Sequence, residues 1–224
     1  YNHALGVSIR YNAYRYFSLK ANLFKGQISG DDANSNFVET QMRNLDFRSN
    51  IVEFSTQFEF NLLPYAIREK KVSAPYLFVG VGGMYFNPQA QMRGNWYDLQ
   101  PLGTEGQGYV GLSDETLYSK FQVVVPMGLG FKFSLNEKVN LGFEFGARKT
   151  FTDYLDDVSS VFPNPTQLSS PTAMALSDRS LVPDLSGEGR QRGNSKDNDS
   201  YVFFGISIMR YFGRLECPKI SRPE

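Results

Sequence analysis

Residues 121–133 read FQVVVPMGLGFKF, and every odd-numbered position in this stretch carries an apolar side chain. The even-numbered positions, from Gln122 to Lys132, are mostly small or polar. Successive side chains of a β-strand point to opposite faces of the sheet, so this alternation predicts a strand with two different faces. The run is also longer than the roughly 5 to 6 residues usual for strands of soluble sheets. It predicts a long strand with one apolar face.

The same alternation recurs along the chain, most clearly in residues 5–11, 52–62, 139–147 and 202–208. Composition agrees with strands, because the chain has 19 Phe, 13 Tyr and 20 Gly. Aromatic side chains suit pleated surfaces, and glycine is unfavourable inside helices. The pattern predicts an all-β chain with strands at 4–12, 16–29, 50–62, 75–87, 119–135, 139–151 and 200–212.

Two kinds of sheet produce this alternation. A soluble β-domain buries its apolar face, whereas an outer-membrane barrel turns that face to lipid and fills its interior with polar side chains. Strands of about 10 to 13 residues exceed the soluble norm and match the roughly 9 to 11 of a tilted membrane strand. The polar positions are near charge balance, which predicts ion pairs inside a transmembrane antiparallel up-and-down β-barrel: Arg10, Lys20, Glu53, Glu59, Lys132, Glu144 and Arg148.

The predicted connections alternate between short and long, as periplasmic turns and extracellular loops do in such barrels. The shorter connections are 12–15, 63–74 and 136–138, and the long ones are 30–50, 88–119 and 152–200. Bacterial single-chain barrels have an even number of strands. Seven visible strands therefore predict an eight-stranded barrel whose first strand precedes Tyr1. Side chains fill an interior of eight strands, so a diffusion pore is not expected.

Several function classes are excluded by composition. The 23 basic and 23 acidic residues give a formal net charge of zero, which provides no footprint for nucleic acid. One Cys and one His exclude a zinc finger and a disulfide framework. His3 has no partner motif, so neither an enzyme nor a cofactor or metal site is predicted. No apolar run reaches the length of a membrane-spanning helix.

Other residues have more than one interpretation. Asp153, Asp156 and Asp157 offer oxygen ligands for Ca²⁺ but lack EF-hand spacing, so solvation or pairing with Arg148 and Arg192 is favoured. The basic residues of the 63–74 turn, Arg68, Lys70 and Lys71, suit either anionic headgroups or a protein partner.

The predicted periplasmic tail, 213–224, follows a barrel domain at 1–212 and contains Cys217, Pro218 and Lys219. A lone cysteine in an oxidising compartment suggests an intermolecular disulfide, with an inert thiol as the alternative.

Five segments carry a resemblance to a known family: 43–47 (RNLDF), 95–108 (NWYDLQPLGTEGQG), 148–159 (RKTFTDYLDDVS), 191–199 (QRGNSKDND) and 215–219 (LECPK). Together they resemble the PorG family, the outer-membrane barrel component of the type IX secretion system. The resemblance spans nearly the whole chain, except that the family's first strand is missing. It implies an integral outer-membrane protein with a periplasmic C-terminus, associated with a ring built from PorK and PorN.

Two functions from different classes follow. The first is a structural secretion component that anchors or contacts the PorK/PorN ring through its periplasmic segments, possibly by a disulfide at Cys217. The second is a surface-exposed adhesin or receptor that acts through its long outer loops. Outer-membrane lipid is an expected partner of either, and neither nucleic acid nor a small-molecule substrate is expected.

Overall fold

A computed structural model describes residues 2–65, 73–109, 116–136, 138–168, 170–182 and 187–212. The chain is all-β, as predicted, and two short helices, α1 (Val38–Arg43) and α2 (Pro171–Ser177), lie in its long connections. The strands are β1 (Ala4–Asn12), β2 (Phe17–Asp31), β3 (Asp46–Asn61), β4 (Ser73–Met92), β5 (Asn95–Asp98), β6 (Phe121–Ser134), β7 (Val139–Thr150) and β8 (Ser200–Arg210).

Seven of these strands form one antiparallel meander in the order β1-β2-β3-β4-β6-β7-β8. The sheet curls into a half-barrel, and side chains from distant strands meet on its concave side. Arg10 of β1 contacts Glu59 of β3, and Lys20 of β2 contacts Glu144 of β7. Within the described chain, no ladder joins β1 to β8. The predicted strands are therefore present, but they do not close into a barrel.

The two faces of the sheet are inverted relative to a soluble protein. On β3, the concave side buries Glu53, Ser55, Gln57, Glu59 and Asn61 completely or almost so. The alternate residues of β3 lie on the convex side, where Phe54 is 58% exposed. The same division holds on β6 and β7. Charged and polar side chains share the interior with aromatic and other apolar side chains, most of them from β4, and apolar side chains cover the outside.

Glycines on the concave side make room for aromatic side chains of β4. A Cβ at Gly130 would lie 2.4 Å from Cζ of Tyr76, and a Cβ at Gly128 would lie 2.9 Å from Cζ of Phe78. Such contacts are too close for any larger residue. The alternation of glycine with polar residues on β6 and β7 is therefore a packing requirement, because the narrow interior admits one large side chain at each level.

The strands extend further at the long-loop end than the periodicity predicted. β3 begins at Asp46 rather than residue 50, and β4 continues to Met92 rather than 87. β4 then turns through Arg93 and Gly94, which both have positive φ, and pairs with β5 in a hairpin that the sequence did not predict. The apolar period stops near residue 87 although the hydrogen-bonded ladder continues, so periodicity underestimates the strand.

The long connections are folded and not irregular. Residues 32–45 contain a short 3₁₀ helix and α1, which are tied together where Arg43 donates to both oxygens of Asp32 at 2.7 and 2.9 Å. Residues Ala90, Leu99 and Leu176 form a small apolar core between the connections. None of the described helices is long and apolar enough to cross a bilayer.

Candidate functional site: an ion-paired lumen beneath a folded loop cap

Five charged side chains meet near the short-turn end of the interior, and we call them the lumen cluster: Arg10, Lys20, Lys132, Glu59 and Glu144. Glu59 is fully buried and accepts from Arg10 Nη2 at 2.8 Å and from Lys132 Nζ at 2.6 Å. Glu144 accepts from Lys20 Nζ at 2.5 Å. The cluster links five different strands across the interior, so it fills this part of the lumen with charge pairs.

A second ion pair lies nearer the long-loop end. Arg148 Nε is 3.6 Å from Glu53 Oε2, and the hydroxyl of Tyr201 donates to the same oxygen at 3.1 Å. The guanidinium also lies over the ring of Phe203, 4.4 Å from its centroid. Arg148 and Glu53 are both buried. This pair belongs to a more aromatic level of the interior, because Phe24 stacks on Phe203 at 6.1 Å.

All seven residues predicted to form lumen ion pairs lie on the concave side of the sheet, and the structure joins them in these two groups. Four of them are basic and three are acidic, so together they carry a net charge of +1. The excess comes from the lumen cluster, which has three cations and two carboxylates. Buried charges are costly unless they are paired, and here three cations share two carboxylates.

The other predicted site residues lie outside the described residues. These are Arg68, Lys70 and Lys71 in the turn after β3, and Cys217, Pro218 and Lys219 in the tail. Two tyrosines that precede these segments in the sequence contact each other. Tyr65 and Tyr211, which precede the turn and the tail respectively, share a hydrogen bond between their hydroxyls at 2.7 Å. Because β4, β6 and β7 separate β3 from β8 in the sheet, the two hydroxyls meet across the interior.

The long-loop end is covered by a structure that we call the loop cap, formed by the described parts of 32–45, 99–120 and 151–199. Its centre is the buried pair of Glu105 and Arg192, whose Oε1 and Nη1 are 2.8 Å apart. Glu105 also accepts from the backbone N–H groups of Ser159 and Ser160, at 2.9 and 2.8 Å. The acid is fully hydrogen-bonded, and it locks two separate loops together.

Asp157 forms a second link within the loop cap. Its side chain accepts from the hydroxyls of Thr104 and Tyr118, and its carbonyl accepts from Arg192 Nη1 at 2.7 Å. Burial raises the pKa of Asp157 to about 6, partly offset by Arg192. Its backbone has φ of +66°, a left-handed conformation that is uncommon for a residue other than glycine. The hydrogen bonds from both loops hold it there.

The prediction for the acidic segment after β7 was partly wrong. Asp157 is fully buried and not solvated, and Arg148 pairs with Glu53 instead of with the aspartates. Burial, together with the nearby Asp199 carboxylate, raises the pKa of Asp156 to about 7. Among the described residues, no group of three or more His, Cys, Asp or Glu could hold a metal ion.

Sequence reasoning missed Glu105 and did not assign Arg192 to it. The two residues are 87 positions apart, and neither lies in a periodic segment. The only signal was their place within two of the loop segments that carry the family resemblance. A buried pair of this separation becomes visible only when the loops are folded together.

A pocket of about 260 Å³ opens between the loops of the cap. Charged side chains of both signs line it, including Arg43, Arg179, Arg192 and Asp156. All three of these arginines have carboxylate partners: Arg43 binds Asp32, Arg179 pairs with Asp46, and Arg192 pairs with Glu105. The pocket is thus a polar recess whose charges are largely satisfied from within.

A family model described as a domain of unknown function, DUF6089, matches residues 1–100 and 104–170. The chain belongs to this family. Within the chain, the DUF6089 match covers β1 to β7 and therefore every member of the lumen cluster, together with Glu105 and Asp157 of the loop cap. No curated protein and no solved structure matches the sequence.

Proposed function

We propose that this DUF6089 protein is an integral outer-membrane barrel that serves as a structural component of the type IX secretion system. In this role it anchors or contacts the periplasmic PorK/PorN ring. One observation carries the membrane part of the proposal. The sheet buries Glu53, Glu59 and Arg148 while leaving apolar side chains such as Phe54 and Phe145 more than half exposed. Water disfavours that exposed surface, and lipid favours it.

The proposed barrel has eight strands. β1 and β8 are the first and last strands of a seven-strand antiparallel meander, so they run in the same direction. One further strand that runs the opposite way would pair antiparallel with both and close the barrel. The even strand number typical of bacterial outer-membrane barrels supports this closure.

A structural role fits the filled interior. The lumen cluster and the Arg148–Glu53 pair span the interior at two levels, and the loop cap covers its long-loop end. Ion pairs that connect opposite walls occupy the interior, as expected for an eight-stranded barrel whose side chains fill the lumen. The barrel would therefore hold a position in the membrane and would not transport a solute.

The ring-binding part of the proposal rests on the resemblance to the PorG family and on the short-turn end of the sheet. The Tyr65–Tyr211 hydrogen bond spans the short-turn end of the interior, and the 66–72 turn and the 213–224 tail follow these two tyrosines in the sequence. The turn supplies Arg68, Lys70 and Lys71, and the tail supplies Cys217 and Lys219. Both segments carry basic residues and would lie on the periplasmic side, where they could contact a periplasmic partner.

The test is affinity isolation of the ring proteins with the barrel from detergent-solubilised outer membranes. Deleting the tail after Phe212 should leave the barrel inserted but reduce recovery of PorK and PorN and block type IX secretion. Neutralising Arg68, Lys70 and Lys71 together should weaken recovery in the same way. Cys217→Ser should lose a higher band on a non-reducing gel if the contact is a disulfide. Normal secretion by the tail-deleted strain, with the ring still recovered, would refute a tether through the tail.

The second candidate function is a surface receptor or adhesin. The loop cap supports it, because a buried Glu105–Arg192 pair and a recess of about 260 Å³ are more structure than a simple connection needs. Replacing residues 153–198 by a short Gly/Ser linker separates the two functions. If the protein is a tether, the linker variant should still recover the ring proteins. If the protein is a receptor, the linker variant should lose its binding at the cell surface.

A further inference from the structure

The apolar band on the convex side of the sheet ends at one level on four neighbouring strands. Lys25, Val52, Tyr85 and Phe121 are register partners in a row across β2, β3, β4 and β6. Outward side chains on the short-turn side of this row are mostly apolar, as the exposed Leu23 illustrates. On its long-loop side, the outward positions of β2, β3 and β4 are polar. The row therefore marks a border between an apolar and a polar surface.

A basic patch lies at this border and consists of Lys25, Gln27, Arg48, Asn50, Asn87 and Lys120. Asn50 and Asn87 are directly opposite each other in the β3–β4 ladder, and directly opposite residues share one face of a sheet. Arg48 is two residues along β3 from Asn50, on the same face. Gln27 donates to Asn50 Oδ1 at 3.0 Å, and Lys25 is two residues from Gln27 along β2. The Asn50–Asn87 pair is therefore the centre of the patch.

Arg48 is held in place by its neighbours on the convex side. Its guanidinium carbon lies 3.6 Å from the centroid of the Trp96 ring, and its Nε donates to Gln89 Oε1 at 2.9 Å. Within the described chain, neither of its terminal nitrogens, Nη1 and Nη2, has a hydrogen-bond partner. These two groups form a planar pair of donors. A phosphate is bound by such a pair through two parallel hydrogen bonds.

The two lysines of the patch supply further donors. Lys120 Nζ donates to Asn87 Oδ1 at 3.2 Å and lies 5.8 Å from the centroid of the Tyr85 ring. An ammonium group has three hydrogens, so Lys120 keeps two for a ligand. Lys25 is exposed beside Leu5, its register partner on β1. A lysine among apolar neighbours extends its ammonium to the headgroup level of a membrane.

The patch carries more positive than negative charge. None of its three cations forms a salt bridge with a carboxylate of the described chain. One acid borders the patch, Asp98 of β5, which accepts from the amides of Asn87 and Gln89 at 2.8 and 2.6 Å. Three cations and one carboxylate give a local net charge of +2. A phosphate monoester carries a charge of about −1.5 to −2 at pH 7, so one such group would balance the patch.

The surface next to the patch is apolar and aromatic. Leu23 and Phe54, which follow the border towards the short-turn end, are exposed, and so are Tyr85 and Phe121 in the border row itself. Aromatic side chains at such a border are typical of membrane interfaces. A ligand that places an anionic group on the patch could therefore lay apolar chains along the neighbouring strands.

We infer that the basic patch binds the phosphate group of a lipid, with the phosphate over Asn50 and Asn87 and the acyl chains along the apolar surface towards Phe54. This inference rests on the outer-membrane barrel of the proposed function and names the lipid chemistry that one part of its surface selects. With the long loops outside the cell, the patch lies at the level of the outer leaflet. The bound molecule is therefore a phosphorylated lipid of that leaflet.

Trp96 reports directly on the patch, because it is the one tryptophan of the chain and stacks on Arg48. The full 224-residue chain, refolded in uncharged detergent micelles, is titrated with phosphatidic acid that carries a spin label close to its headgroup. Phosphatidylcholine with the same chains and label is the control lipid, because its choline neutralises the phosphate. Each basic residue near an anionic lipid favours binding about fivefold, so phosphatidic acid should quench Trp96 fluorescence at a concentration at least roughly tenfold lower.

Single substitutions test whether binding occurs at the patch. Lys25→Gln, Arg48→Gln and Lys120→Gln should each raise the half-quenching concentration of phosphatidic acid about fivefold. Lys149→Gln is the matched control and should have no effect, because Lys149 is an exposed cation at the same end of β7 but lies outside the patch. Asp98→Asn removes the bordering acid and should tighten binding about fivefold, a gain that a damaged fold cannot produce.

The other outcomes are equally decisive. Equal quenching by the two lipids would overturn the phosphate assignment alone, whereas quenching by neither lipid would contradict the barrel of the proposed function as well. An equal loss of affinity in Lys149→Gln would assign the attraction to diffuse charge and overturn the patch. Inorganic phosphate at the concentration of the labelled lipid should not restore Trp96 fluorescence. Restoration would mean that the patch binds free phosphate, and the assignment to a lipid would be wrong.

Discussion

The lumen cluster should respond unequally to the loss of an acid and the loss of a base. Glu59→Gln leaves Arg10, Lys20 and Lys132 with the single carboxylate of Glu144, so the net charge of the cluster rises from +1 to +2. Lys132→Met removes the excess cation, and the net charge falls to zero. We therefore expect Glu59→Gln to lower the free energy of unfolding of the 224-residue chain more than Lys132→Met does. This holds although Lys132 is the most buried of the three cations in the cluster.

The magnitudes follow from the contacts that each substitution removes. Removing one partner of a buried ion pair costs about 3–5 kcal/mol, because the remaining charge stays buried without compensation. Glu59 interacts with three cations, so Glu59→Gln should fall in that range. In Lys132→Met, the Oε1 atom of Glu59 keeps both bonds from Arg10, at 3.0 and 2.8 Å. Only Oε2 loses its lysine, which should cost about 1–3 kcal/mol.

Urea unfolding of the refolded protein in lipid vesicles measures these free energies. The chain has one tryptophan, Trp96, whose ring lies 3.6 Å below the guanidinium carbon of Arg48 at the β4–β5 hairpin. Its fluorescence should change as the sheet unfolds. The double variant Glu59→Gln/Lys132→Met is the matched control, because it returns the cluster to a net charge of +1. It should be more stable than Glu59→Gln alone.

Two results would refute this reasoning. Equal free energies of unfolding for the two single variants would mean that water, and not the opposing side chains, compensates the cluster. A double variant less stable than Glu59→Gln alone would mean that Lys132 stabilises through its contacts with Asn61 and the Tyr76 ring, and not through charge.

Three further predictions concern the outer surface and the loop cap. Phe143→Arg should cost about 2–4 kcal/mol in lipid, as a charge near the bilayer midplane does, whereas Phe143→Leu should cost much less in the same unfolding assay; equal costs would place Phe143 away from lipid. Burial raises the pKa of Asp156 from 3.8 to about 7. The folded cap therefore binds more protons than the unfolded chain, and its stability should fall as pH rises from about 4 to 7. Hydrogen exchange should show less protection of residues 155–160 at pH 8 than at pH 5, and Asp156→Asn should weaken this dependence. Arg192→Ala leaves Glu105 buried without its cation and should open the cap to protease, whereas the exposed Arg190→Ala should not; equal cleavage of both variants would contradict the proposed lock.

Much of the fold was predictable from local pattern. The two-residue period of 121–133 and its repeats locate seven strands, because a strand with one apolar face needs only its own sequence to show that face. Parity also assigned Glu53, Glu59 and Arg148 to one side of the sheet. The period did not reveal the ends of β3 and β4 or the presence of β5, because beyond the apolar belt the ladder continues on polar residues.

The inside-out arrangement was open to two interpretations at the sequence level, since alternation is the same whether the apolar face is buried or exposed. Only the curl of the sheet decides which face is concave. Tyr76 and Phe78 fit on the concave side because glycines of neighbouring strands leave room for their rings. Phe54 and Phe143 lie on the convex side, where they are exposed. The sign of the curvature is a property of all the strands together, and no single segment contains it.

Seven strands, the alternation of their two faces and the set of charged residues on the polar face could be predicted from the sequence alone, because each of these properties repeats within a few residues. Tertiary structure decided which charges meet. Lys20 reaches Glu144 across 124 positions, and Arg192 reaches Glu105 across 87. Contacts of this kind depend on how the sheet curls and how its loops fold over one end. Because the partners are far apart in the sequence, no local pattern identifies them.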